Sequence, residues 1–115
     1  MQQLKQIREP QIMGILNVTE DSFSDGGSYL SLELALNRAR QMIEEGAAII
    51  DVGAESTRPG SLPVDLDTEL ERVVPTVEAI KKEFPAITVS VDTRKSEVAK
   101  ASLQAGATII NDISA

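Results

Sequence analysis

Ile12-Met13-Gly14-Ile15-Leu16-Asn17-Val18-Thr19-Glu20-Asp21-Ser22-Phe23-Ser24-Asp25-Gly26-Gly27 is an apolar run that ends in an amide and opens into a long polar loop. The loop decides between two architectures. A dinucleotide fold places Gly-x-Gly-x-x-Gly directly between its first strand and first helix. Here Asp25-Gly26-Gly27 lies at the far end of the loop, without that spacing. Three more apolar runs stop in the same manner. Ala48-Ile49-Ile50-Asp51-Val52-Gly53 leads into Glu55-Ser56-Thr57-Arg58-Pro59-Gly60, Ile87-Thr88-Val89-Ser90-Val91 ends in Asp92-Thr93-Arg94-Lys95, and Thr108-Ile109-Ile110 ends in Asn111-Asp112. Core strands have no packing reason to finish repeatedly in hydrogen-bonding groups. A parallel barrel gathers the C-terminal ends of its strands on one face, where such proteins build their sites.

Between the runs the period changes to that of helices. Leu32, Ala35, Leu36, Ala39, Met42 and Ile43 predict a helix from a cap near Ser31 to Gly46. Leu66, Leu70, Val73, Val77, Ile80 and Phe84 predict a second, starting near Asp67 or Thr68 with a Thr68–Glu71 capping box, and kinked or broken at Pro75. Val98, Ala101 and Ala105 predict a third over 95–105, closed by Gly106. Strands are expected over about 11–18, 48–54, 87–92 and 107–113, after a polar arm at 1–11. The order β-α-β-α-β-α-β implies parallel strands with right-handed crossovers. An open doubly wound sheet and part of an eight-stranded barrel both fit, and the first loop favours the barrel. A whole barrel takes about 250 residues. The 115 residues here correspond to its first half, ending just past the fourth strand, in one domain.

Composition narrows the chemistry. Hydrophobic residues make up 42% and aromatics only 3%, so the core must be aliphatic, as in strands buried on both faces. A net charge of −7 argues against a nucleic-acid backbone as partner. A small anionic ligand still fits, because Arg58, Arg94 and Lys95 lie beside strand ends. With no Cys and no His, any metal should be a hard ion held by oxygen, such as magnesium. No signal peptide or membrane-length apolar run is visible, so the expectation is a soluble cytoplasmic protein without a membrane partner.

The strand ends hold the candidate site. Asn17 reads either as a metal ligand or as a residue bonding the turn after its strand. Asp51, inside an apolar strand, must be paired or hydrogen-bonded; it either supports the site from beneath or joins a structural ion pair. Arg58 offers a planar fork for carboxylate or phosphate, or is a solvated loop residue. Asp92 and Asn111 close neighbouring strands, about 5 Å apart. Together they either present acceptors and a donor suited to the edge of a planar heterocycle bearing ring N–H and amino groups, or are ordinary strand-end turn residues.

These residues resemble a known family. The segment from Met13 to Gly27 is similar to the first signature of dihydropteroate synthase, and the segment from Asp51 to Gly60 to the second. Val91-Asp92-Thr93-Arg94-Lys95 and Ile109-Ile110-Asn111-Asp112-Ile113-Ser114 resemble the next two strand ends of that enzyme. The resemblance implies a (β/α)8 barrel that joins 6-hydroxymethyl-7,8-dihydropterin diphosphate to p-aminobenzoate in folate synthesis, releasing pyrophosphate. It implies Asn17 as the magnesium ligand and Thr57, Asp92 and Asn111 as pterin-binding residues. Phe23, Ser56 and Pro59 would shape the p-aminobenzoate pocket for which sulfonamides compete. Asp25 and Arg58 are expected to act catalytically, Asp25 by stabilising the developing pterin cation or by positioning the arylamine, and Arg58 by neutralising anionic groups nearby. Glu20 stands where the family usually has Pro, making the loop less rigid and more acidic.

Two other readings compete. A pterin-binding methyltransferase barrel shares the logic of Asp92 and Asn111 but lacks the Ser-Phe-Ser-Asp-Gly-Gly and Glu-Ser-Thr-Arg-Pro-Gly loops. A noncatalytic half-barrel is the third. The family's second half carries further pterin- and diphosphate-binding residues, so the chain alone is expected to be inactive. Its open strand edges predict a homodimer or other self-association.

Overall fold

The computed structural model describes residues 12–18, 29–54 and 65–112. Along the chain these form β1 (Met13–Asn17), α1 (Tyr29–Glu44), β2 (Ile49–Gly53), α2 (Leu66–Glu83), β3 (Thr88–Thr93), α3 (Ser96–Ala105) and β4 (Ile109–Asp112). All three neighbouring strand pairs are parallel, and the sheet order is β1-β2-β3-β4. Each strand is laid beside the one before it, with no reversal of direction. A doubly wound sheet has such a reversal, and its site lies there. The described elements are therefore the first half of a (β/α)8 barrel. Crossovers of one hand, always stepping the same way, put every helix on the same face of the sheet.

The helix-covered face is aliphatic. Leu16 and Val18, Ile50 and Val52, and Val89 and Val91 are buried there with Ala39 of α1, Val73, Val77 and Ile80 of α2, and Val98 of α3. Fully burying each such side chain stabilises by about 1.5–3 kcal/mol. On the opposite face Met13 and Ile15 remain 41% and 53% exposed. β1 accordingly alternates between exposed and buried positions. In a barrel, this second face looks inward.

The helix ends agree with the sequence expectation at the glycines. Gly46 (φ +112°) and Gly106 (φ +125°) occupy the left-handed region just past α1 and α3, which an L side chain rarely adopts. The helix starts differ. α1 begins at Tyr29, ahead of Ser31. α2 begins at Leu66 and is capped by Asp65, whose Oδ1 accepts from the Thr68 backbone N–H at 2.8 Å. Thr68 is thus the donor to the cap rather than the cap itself. α2 also runs unbroken through Pro75. An interior proline costs about 3 kcal/mol, but Val73, Thr76, Val77 and Ile80 are all buried along this helix. Their combined burial outweighs one missing donor.

Gly14 explains how closely α1 can lie on β1. A Cβ there would stand 2.7 Å from Met42 Sδ and 3.1 Å from Met42 Cβ. Overpacking of this kind costs about 1–3 kcal/mol, more than the roughly 0.5–1 kcal/mol that replacing a strand glycine returns. Gly14→Ala should therefore lower the urea midpoint of unfolding; an unchanged or raised midpoint would show that α1 is not held at this distance.

Candidate functional site

The register aligns the strand ends in one row: Asn17 pairs with Gly53, Gly53 with Asp92, and Asp92 with Asn111. One pleat below, on the same face, Ile15, Asp51, Ser90 and Ile109 form a second row. The period of two in β3 is responsible: Thr88, Ser90 and Asp92 turn towards the open face while Val89, Val91 and Thr93 turn towards the helices.

The two rows are joined by hydrogen bonds. Asp51 is buried at 2% exposure. Its Oδ1 accepts from Ser90 Oγ in a short bond and from Asn111 Nδ2 at 3.2 Å. Asp92 lies beside this pair, level with Asn111 in the register and two residues beyond Ser90. Of the two expectations for Asp51, the observed partners match support beneath the strand ends. Burial pushes the Asp92 carboxyl up to about 6, the Asp51 carboxyl beside it adds to the rise, and the Asn111 amide opposes it. The cluster can therefore offer both carboxylate acceptors and a carboxylic O–H near neutral pH. Gly53 leaves the space beside Asp92 open, since a Cβ there would reach ordinary contact distance, 3.5 Å, from Asp92 Cβ.

Asn17 lies at the exposed end of β1 in the same row. Its amide oxygen is the kind of hard donor that suits magnesium, which commonly takes one or two protein oxygens and completes its shell with phosphate and water. Among the described residues no three His, Cys, Asp or Glu side chains come together to hold a metal. Phe23, Asp25, Ser56, Thr57, Arg58 and Pro59, with Glu20, lie outside the described residues.

Two features escaped the sequence reading. Ser90 joins the Asp51–Asp92–Asn111 cluster, and the alternation Thr88-Val89-Ser90-Val91-Asp92 already places it on that face. Behind β3, fully buried Glu69 takes Lys95 Nζ at 2.8 Å. This partner turns the Lys95 ammonium, one of the strand-end cations, to a carboxylate on α2.

A family model for pterin-binding enzymes matches residues 13–115. This chain belongs to the pterin-binding enzyme family. It is 58% identical over 102 residues to the dihydropteroate synthase of Streptococcus pyogenes serotype M1, covering 89% of this chain and 38% of that protein. The Escherichia coli K12 dihydropteroate synthase is 56% identical over 107 residues, with 93% and 38% covered. A dihydropteroate synthase from Clostridium difficile, solved in the presence of pteroic acid, superposes with a TM-score of 0.85 at 50% identity, covering 93% of this chain and 40% of that one. The Yersinia pestis enzyme in a sulfonamide drug complex gives 0.79 at 55% identity, with 90% and 38% covered. The chain spans about two-fifths of the length of these relatives, from their N-terminal part. No helix among the described residues is long and apolar enough to cross a membrane.

The raised Asp92 carboxyl has a consequence for stability. Unfolded, an Asp titrates near about 4; folded, Asp92 titrates at about 6. Between these values the folded state binds more protons, so this group's contribution to stability is greatest below about pH 4 and is lost as pH rises through 6. Asp65 acts in the opposite direction, its carboxyl held low by the Thr68 backbone N–H, but it is common to both chains of a comparison. Urea midpoints measured across this window should therefore show Asp92→Asn gaining stability relative to the parent as pH rises. Parallel curves would show that folding does not raise the Asp92 carboxyl.

Proposed function

We propose that this chain is the pterin-holding portion of a dihydropteroate synthase acting in the cytoplasm, on a pterin diphosphate and p-aminobenzoate. The observation that carries the reading is the cluster of Asp51, Ser90, Asp92 and Asn111 at the strand ends. A flat ring with N–H and amino donors along one edge meets the Asp92 carboxylate, and the Asn111 amide supplies both an acceptor and a donor. Asp51 stays beneath, holding Asn111 and Ser90 in place.

The reaction requires the p-aminobenzoate nitrogen to form a bond to the exocyclic methylene carbon of the pterin. The carbon–oxygen bond to the diphosphate breaks, the diphosphate leaves with the bonding pair, and the amine gives up one proton. Asp92 and Asn111 orient the ring so that its methylene is presented to the arylamine. Asp25 stabilises positive charge growing on the methylene, Arg58 offsets anionic groups, and Thr57 adds to pterin binding. Phe23, Ser56 and Pro59 border the arylamine, in the pocket where a sulfonamide would compete. Magnesium, held by Asn17, would supply positive charge to the departing diphosphate.

Calorimetric titration with 6-hydroxymethylpterin tests the reading. The parent chain should bind, and Asp92→Ala should bind at least tenfold more weakly, because a hydrogen bond to a charged group contributes about 1.5–3 kcal/mol. Equal affinity in the two chains contradicts the reading. β1 and β4 are the outer strands of the described sheet, and parallel edges of this kind invite pairing. The 115-residue chain should therefore sediment increasingly as a dimer or larger species as concentration rises. A single monomer boundary at every concentration would count against the self-association.

A further inference from the structure

On the side of β3 away from the pterin row, a fully buried carboxylate is tied to the residues that follow Asp92. Glu69 sits in the first turn of α2 with no exposed surface. Its Oε2 accepts from Thr93 Oγ1 at 2.6 Å and its Oε1 accepts from Lys95 Nζ at 2.8 Å. The Lys95 backbone N–H in turn donates to Thr93 Oγ1 at 3.1 Å. Thr93 is itself only 2% exposed.

Two features of this cluster are poor choices for stability alone. Burying the Glu69 carboxylate costs desolvation, and attraction to the partly exposed Lys95 ammonium offsets that cost no better than apolar residues of the same volume would avoid it. Lys95 also occupies the N-cap of α3, with no side-chain capping bond. Ser, Thr, Asp and Asn are preferred there, a substitution at such a cap is worth about 1 kcal/mol, and a cation is misplaced at the positive end of a helix. The lysine at this cap is explained by its bond to Glu69.

We propose that Glu69 is a positioning residue for the pterin site: by holding Thr93 and Lys95 on the helical side, it fixes the strand end that presents Asp92 on the open side. Successive strand residues point to opposite faces, so anchoring Thr93 sets the rotation of the backbone that carries its neighbour. The same carboxylate ties this strand end to the start of α2, one turn after Asp65, where the segment bearing Thr57 and Arg58 rejoins the described chain. The proposal rests on the pterin-site reading and adds a residue that touches no ligand.

The test uses Thr93→Val, which breaks the bond to Glu69 without changing any charge, and Lys95→Met, with circular dichroism to establish folding. Asp92 is titrated by carbonyl-carbon NMR, and 6-hydroxymethylpterin affinity is measured on each chain. With the strand end released, Asp92 should move away from Asp51 into water, and its pKa should fall from about 6 by one unit or more towards the ordinary value of about 4. Pterin affinity should fall at least fivefold. Lys95→Met separates positioning from bare electrostatics, since loss of a nearby cation by itself would raise the Asp92 pKa. A folded variant in which either quantity keeps its parent value, or a rise in Lys95→Met, overturns the proposal. If Thr93→Val does not fold, Glu69→Gln is judged on the same two quantities, and failure of all three variants to fold overturns positioning in favour of a purely structural role. A parent chain that binds no pterin overturns the pterin-site reading instead, while the Asp92 titration still decides whether Glu69 places that residue.

Discussion

A carboxylate buried inside an aliphatic sheet is the constraint around which the rest of this molecule is arranged. Asp51 lies in β2 between Ile50 and Val52, and leaving it unpartnered there would cost several kcal/mol. Its Oδ1 is bonded by Ser90 from β3 and Asn111 from β4. Three strands must therefore hold one register for the group to be tolerated, because a slip of one residue would turn Ser90 to the helices and Val89 or Val91 to the carboxylate. Burial at the same strand ends, with the Asp51 carboxyl beside it, raises the proton affinity of Asp92. Stability and ligand chemistry are thus set by one arrangement.

The two faces of the sheet divide the work. The helical side is closed by Val, Ile, Leu and Ala, with Gly14 letting Met42 of α1 come close. The other side keeps apolar residues near its base, Met13 and Ile15, and amides and carboxylates at its C-terminal rim. Because the strands follow one another in order, the rim residues of all four fall on one line, and the segments after β1 and β2 leave from that line. Glu69 is the exception, a carboxylate on the aliphatic side, and it is bonded to Thr93 and Lys95, which follow the rim residue Asp92.

Much of this was legible in the sequence because it depends on short-range pattern. The alternation of apolar runs and helical stripes identified every described element, Gly46 and Gly106 marked helix ends, and the polar residue closing each run marked the rim at Asn17, Asp92 and Asn111. Helix starts were less legible. Asp65 captured the Thr68 N–H because an Asp side chain reaches that donor from a position the apolar stripe does not mark. Pro75 resembled a break because local propensity does not count the burial on both sides of it. The long-range partners were beyond periodicity altogether. Asn111 lies 60 residues from Asp51, and Lys95 lies 26 from Glu69. Glu69 falls next to Leu70 in the α2 pattern and reads locally as one more acidic residue in a first helical turn.

The most direct measurement of the central claim is chemical-shift mapping on the uniformly labelled chain as 6-hydroxymethylpterin is added. The account predicts that the largest changes fall on the side-chain carbonyl carbons of Asp92 and Asp51 and the side-chain amide of Asn111, with smaller changes along the ends of β2 to β4. Changes concentrated on α1, α2 or α3, with those three groups unmoved, would contradict it.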